Sequence, residues 1–124
     1  YPVVDLLPEQ KKILTKGGTM RLGGHEVVIK EGTKLYEAYR KRVIVERFRH
    51  RYHIIREYAE RAENFGLVIS AYDRDGRIIN AIEFKDAHWM VGVQFHPEFK
   101  SRPDAPSPIY LAFIRECLKH KSRR

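Results

Sequence analysis

The stretch Leu67-Val68-Ile69-Ser70-Ala71-Tyr72-Asp73-Arg74-Asp75-Gly76-Arg77-Ile78-Ile79-Asn80-Ala81-Ile82-Glu83-Phe84 sets the architecture. Leu67–Tyr72 and Arg77–Phe84 are strand-like runs, rich in aliphatic and β-branched residues that pack well on a pleated surface. Asp73-Arg74-Asp75-Gly76 between them is turn chemistry, so the two runs form a hairpin. On its upstream side, Ile54–Asn64 carries helix-forming Glu, Arg and Ala, with Gly66 placed to end the helix. On its downstream side, Trp89–Phe95 is an apolar run short enough for a buried strand.

Further out, Val43–Arg49 reads as a strand, and Thr33 as the N-cap of a short helix carrying Leu35, Tyr36 and Tyr39. Met20–Lys30 reads as extended, interrupted by Gly23-Gly24, and Val3–Leu7 is a short apolar segment closed by Pro8. At the other end, Ser107 can cap a helix whose first turn accommodates Pro108. Ile109, Ala112, Phe113 and Cys117 then recur at helical spacing and predict one inward face. The sum is an α/β fold, a mixed sheet with flanking helices.

The 124 residues amount to one domain or part of a larger one, and the start at Tyr1 rather than Met suits a piece of something longer. With 43% hydrophobic residues the chain has the composition of a globular protein, not of a disordered one. No apolar run approaches the ~18 residues of a membrane-spanning helix. A single cysteine cannot make an internal disulfide, which suits a reducing compartment. Lys and Arg number 24 against 16 Asp and Glu, a formal charge of +8. The excess gathers in Arg40, Lys41, Arg42, Arg47, Arg49, Arg51, Arg56 and Arg61, and again in Lys119, Lys121, Arg123 and Arg124. Such a surface attracts polyanions, and it also describes a solvated basic face with a basic tail. No Walker A loop, Cys/His metal spacing or RNA-recognition aromatic signature accompanies it.

Chemistry concentrates in Gly92-Val93-Gln94-Phe95-His96-Pro97-Glu98-Phe99. An apolar strand delivers His96 at its carboxyl end, where sites gather in open α/β sheets. Pro97 restricts the backbone, and Glu98 follows two residues after the histidine. Imidazole can accept a proton at neutral pH, and a carboxylate on one ring nitrogen fixes its tautomer and stabilises the imidazolium. Alone, the same residues also describe a strand-end histidine beside a surface carboxylate. Cys117, the only thiol, sits late in the last helix, where the dipole opposes a thiolate, and is expected to be a small buried core residue. In Arg47-Phe48-Arg49-His50-Arg51-Tyr52-His53 the residues alternate. An extended segment would place Arg47, Arg49, Arg51 and His53 on one face and Phe48, His50 and Tyr52 on the other. That stripe suits clamping of a substrate carboxylate, a charge-blunted edge strand, or an arginine-rich RNA contact.

Several motifs occur together and in order: Asp5-Leu6-Leu7-Pro8-Glu9-Gln10-Lys11, Gly18-Thr19-Met20-Arg21-Leu22-Gly23, Arg49-His50-Arg51-Tyr52, the Gly92–Phe99 stretch continuing as Lys100-Ser101-Arg102-Pro103, and Pro106-Ser107-Pro108. Over nearly its whole length the chain resembles the CTP synthase family, in the C-terminal part of its class I glutamine amidotransferase domain, which is flavodoxin-like. The resemblance implies that residues 1–124 are a partial amidotransferase domain of this type. His96 would be the base of a Cys-His-Glu glutaminase triad, Glu98 its orienter, and Arg51 the glutamine-binding arginine.

The family's Gly-x-Cys-x-Gly-x-Gln nucleophile elbow and its synthetase domain are absent from the chain, and Cys117 does not match the elbow. The partners implied are therefore the upstream part of the same enzyme and L-glutamine, in a homotetramer with no membrane or nucleic-acid partner. ATP, Mg2+ and GTP as activator are implied for the whole enzyme and none for this piece, and the implied location is the cytoplasm. The activity implied is ATP-dependent amination of UTP to CTP in pyrimidine nucleotide biosynthesis, with the piece inactive alone. Another class I amidotransferase, a glutamine hydrolase, and a non-catalytic basic nucleic-acid module are the alternatives. One departure stands out: the family usually continues Glu-Val-Asn after Tyr52, and this chain has His53-Ile54-Ile55.

Overall fold

A computed structural model describes residues 1–6 and 21–123. Strands β1 (Val4–Leu6), β2 (Arg21–Ile29), β3 (Val43–His50), β4 (Tyr52–Ile54), β5 (Leu67–Tyr72), β6 (Ile79–Phe84) and β7 (Val91–Val93) alternate with helices α1 (Lys34–Tyr39), α2 (Arg56–Glu63) and α3 (Pro108–Ser122). Five strands form one sheet in the order β3-β2-β5-β6-β7, and β1 pairs with β4 in a separate ribbon. The α/β class holds, and every strand ladder among the described residues is antiparallel. The expected Leu7–Pro8 closure and the Gly18-Thr19-Met20 part of the motif lie outside the described residues.

The hairpin forms as its turn residues dictate. Asp73 accepts hydrogen bonds on Oδ1 from the N–H groups of Arg77 (2.7 Å) and Ile78 (3.1 Å), and Gly76 takes φ +72°. Farther up, Ile69 pairs with Ile82, Ala71 with Ala81 and Tyr72 with Ile79. Each strand therefore carries one extra residue, Ser70 on β5 and Asn80 on β6, and both are fully buried. Their carbonyls accept the N–H groups of Lys30 and Gln94, both at 2.8 Å. These bulges turn Ile69 and Ile79 to one face of the sheet and Ala71 and Ala81 to the other.

The face that carries Ala71 and Ala81 packs Val27, Ile29, Ile44, Phe48 and Phe95 beneath Leu35 of α1 and Ile109 of α3. The opposite face packs Ile69 and Ile79 under Ala59 of α2. Helix α1 is capped as expected: Thr33 Oγ1 accepts the Tyr36 N–H (3.1 Å). The buried Glu83 carboxylate adds bonds from the N–H groups of Lys34 (2.8 Å) and Leu35 (3.3 Å). Strand β2 is not interrupted at Gly23-Gly24; Gly23 takes φ +83° while its pairing with Phe48 continues.

Helix α3 departs from its expected face. Ile109 is buried and Ala112 half-buried, but Phe113 is 48% exposed and Cys117 is exposed as well. Six residues of α1 reach about 9 Å and fifteen of α3 about 22 Å, so α1 is too short to cover the whole of it. Leu111, Ile114 and Leu118 are exposed too. Beyond Ile109 the helix is tied down by Phe113 against Trp89 (ring centroids 5.5 Å apart) and by Glu116 Oε2, 3.2 Å from His88 Nε2. Ser107 occupies the N-cap position without a side-chain cap bond; its N–H donates instead to Ser101 Oγ (2.9 Å). Lys119, His120 and Lys121 lie in the last turn, where cations complement the helix dipole. No described helix is long and apolar enough to cross a membrane.

Candidate active site

The segment after β7 crosses to β3, where the His96 N–H donates to the Arg47 carbonyl at 2.9 Å. Phe95, just before it, is buried in the core, and Pro97, just after it, is buried at the start of a 3-10 turn, Pro97–Phe99. The turn closes through Phe99 N–H to the His96 carbonyl (3.2 Å) and Lys100 N–H to the Pro97 carbonyl (3.1 Å). That curvature carries Glu98 back onto the imidazole, with Glu98 Oε1 2.6 Å from His96 Nδ1. A neutral ring donating from Nδ1–H leaves the Nε2 lone pair available, and Nε2 makes no hydrogen bond to any described residue. The Phe99 ring stacks on the imidazole at 5.2 Å and 26°. The two side chains are 39% and 49% exposed, so an incoming group has access to the ring.

The electrostatics keep Glu98 ionised. Its carboxyl lies below the usual carboxylate range, held there first by its own backbone N–H, then by the bond and charge of His96 and by Tyr110. The Tyr110 hydroxyl, from the first turn of α3, donates to Glu98 Oε2 at 3.3 Å. Beneath lies a second carboxylate, Glu46 of β3, only 3% exposed and accepting the Tyr39 hydroxyl at 3.1 Å. Burial raises the Glu46 carboxyl above its usual value, opposed by the nearby Lys100 charge. Lys100 also donates to the Val45 carbonyl. Three consecutive residues of β3, Val45–Arg47, therefore surround both ends of the histidine turn.

Sequence reasoning singled out neither Tyr110 nor a buried Glu46. Tyr110 follows Glu98 by twelve residues and no local spacing links them. Glu46 did carry a signal: it sits in phase with Ile44 and Phe48, the inward residues of β3.

The arginine stripe is only partly as expected. Alternation holds through His50, with Arg47 and Arg49 exposed and Phe48 and His50 buried. A bend at Arg51 separates β3 from β4 and inverts the pattern: Arg51 and His53 are half-buried and Tyr52 is exposed. The inversion follows from β4 leaving the main sheet to pair with β1, as His53 faces Asp5 in that ribbon. Arg51 Nε is buried without a hydrogen-bond partner among the described residues. Leu22, Gly23, Arg47, Phe48, Arg49 and Phe99 line an open cleft of about 450 Å³. Phe99 belongs to this cleft and to the stack on His96, so the cleft adjoins the imidazole. Cys117 belongs to a different patch, with Trp89, Met90 and His120.

A family model described as glutamine amidotransferase class-I matches residues 2–116. The chain belongs to the class I glutamine amidotransferases. Among similar amidotransferase chains, the CTP synthase of Bacillus subtilis (strain 168) is 49% identical over 124 residues, covering 100% of this chain and 23% of that protein. The CTP synthase of Archaeoglobus fulgidus is 51% identical over 121 residues, covering 98% of this chain and 23% of that protein. The Trypanosoma brucei CTPS glutaminase domain with bound acivicin superposes with a TM-score of 0.85 at 33% identity, covering 96% of this amidotransferase chain and 47% of that one. This chain therefore spans less than a quarter of the curated relatives' length.

Proposed function

We propose that this amidotransferase chain is the C-terminal part of the glutaminase portion of a CTP synthase. In this reading His96 is the general base and Glu98 its orienter, while Arg51 binds the glutamine carboxylate. The observation that carries the reading is the 2.6 Å bond between His96 Nδ1 and Glu98, which leaves Nε2 without a hydrogen-bond partner among the described residues. Nε2 takes the proton of a cysteine thiol supplied by the upstream part of the enzyme, and the thiolate attacks the amide carbon of glutamine. The imidazolium, steadied by Glu98, returns that proton to the departing nitrogen, releasing ammonia and leaving an acyl-enzyme. Water, activated by the same base, then releases glutamate. The ammonia serves ATP-dependent amination of UTP elsewhere in the enzyme.

No group of three or more described His, Cys, Asp or Glu residues is arranged to hold a metal. In this reading the Mg2+ and ATP of the amination step, and GTP as activator, belong to the remainder of the enzyme, and no step here passes through them. A homotetrameric assembly in the cytoplasm is part of the same reading.

The test uses the complete enzyme. His96→Ala should abolish CTP formation from glutamine while sparing formation from added ammonia, and joint loss of both would overturn the role of His96. Alone, the 124-residue chain should hydrolyse no glutamine, because triad members act as a unit. Robust hydrolysis by the chain alone would mean that it carries its own nucleophile.

A further inference from the structure

We propose that Tyr110 is a positioning residue of this site, its hydroxyl fixing the carboxylate that orients His96. The inference rests on the reading of His96 and Glu98 as the catalytic pair. Glu98 is exposed and stands on a three-residue turn, and an unrestrained glutamate in that position has several rotamers open to it. Two contacts select one of them. Oε1 meets His96 Nδ1 at 2.6 Å, and Oε2 accepts the Tyr110 hydroxyl at 3.3 Å. With both oxygens engaged, rotation about the last side-chain bond would break one bond or the other. The carboxylate plane is thereby set relative to the ring.

Tyr110 is itself well placed to act as a fixed post. It stands on the first turn of α3, next to Ile109, which is buried in the core with Phe48 and Phe95. The histidine turn is anchored to the same core through Phe95 and to β3 through Arg47. Tyr110 and Glu98 thus approach each other from two elements seated in one packed cluster, so their separation is set by tertiary packing. The groups facing this pair are His96 on the turn, Glu46 on β3 and Tyr39 on α1, with Lys100 behind Glu46. An ordinary phenol is protonated at neutral pH, so Tyr110 is a donor there. Consistent with that, burial and then the Glu98 charge raise the Tyr110 phenol above its ordinary value.

The test is Tyr110→Phe, which removes one oxygen at an exposed position. In the chain itself, Glu98 carboxyl carbon signals followed by NMR against pH should titrate at higher pH in Y110F, since a donor to the ionised form is gone. The His96 ring nitrogen signals should show a smaller share of the Nδ1–H tautomer. In the complete enzyme, kcat for glutamine hydrolysis should fall about tenfold, the worth of one hydrogen bond to a charged group, with KM held. The acid limb of kcat/KM, which reports protonation of the coupled His96–Glu98 pair, should move.

An unchanged Glu98 titration together with an unchanged acid limb would overturn the proposal, even if Y110F melted at a lower temperature. The two readings fail separately. Hydrolysis persisting in His96→Ala removes the catalytic reading, whereas a silent Y110F beside a dead H96A removes only the role of Tyr110.

Discussion

Glu98 Oε1 lies 2.6 Å from His96 Nδ1 across a turn begun by a buried proline, so imidazole and carboxylate are held by one short piece of backbone. A carboxylate there accepts from Nδ1–H; a carboxamide can present its own N–H and favour the wrong tautomer. In the complete enzyme, Glu98→Gln should lower glutamine hydrolysis by a factor on the order of 10² to 10⁴. Steady-state ammonia release measures it, and retention of full activity would remove Glu98 from the mechanism.

The buried Glu46 carboxyl gives stability a pH dependence of definite sign. Burial raises its value in the folded state, so the folded chain holds that proton more tightly than the unfolded chain. The associated stability is fully present below the unfolded value, about 4.3, and is lost as pH rises through the folded one. Glu46→Gln keeps an acceptor for the Tyr39 hydroxyl and removes the charge. It should raise the melting temperature at pH 7, with the difference shrinking toward pH 4. Melting curves across that range decide the matter. A variant less stable at pH 7 would mean that attraction to Lys100 outweighs burial.

Two isoleucines five residues apart on α3 should respond very differently. Ile109 is buried in the core and Ile114 is exposed. Ile109→Ala should destabilise the chain by about 2–4 kcal/mol through lost contacts and a cavity. Ile114→Ala should change stability by less than about 0.5 kcal/mol. Urea titrations of both variants test this division of the helix.

Cys117 lies on the same exposed portion of α3, so its thiol should react with an aromatic disulfide reagent in the native chain as readily as in urea. A large gain in labelling on unfolding would restore the buried reading.

How much was legible depended on how local each determinant is. Thr33 caps α1 and Asp73-Arg74-Asp75-Gly76 turns the hairpin through bonds within five residues, so both could be read from neighbours alone. The pairing of His96 with Glu98 belongs to the same class, since Pro97 and a spacing of two bring them together. The break that makes Tyr52–Ile54 a strand of its own, with Ile54 outside the expected helix, is not legible locally: three residues carry little pattern, and the partner β1 is about fifty positions away. The buried face of α3 was misjudged for a related reason: periodicity gives a helix's apolar side, but the reach of α1 decides how much of it is covered. The inversion at Arg51 and the contact of Tyr110 with Glu98 are tertiary facts without a local spacing to betray them.

The Asp73 carboxylate offers a check on the hairpin itself. Asp73→Ala leaves the Arg77 and Ile78 N–H groups without their acceptor and should destabilise the chain by about 2–3 kcal/mol. Denaturant unfolding measures it; a loss under about 0.5 kcal/mol would show that backbone twist alone sets the turn.

The offset residues Ser70 and Asn80 have a mechanical consequence. Because each strand of one hairpin sends neighbouring side chains into both clusters, neither layer of helices owns its own strands. Loosening α2 from Ile69 and Ile79 disturbs the same two backbones that support Ala71, Ala81 and, one strand on, the approach to His96. The described strands should therefore melt as a single cooperative unit, the segment that carries His96 included.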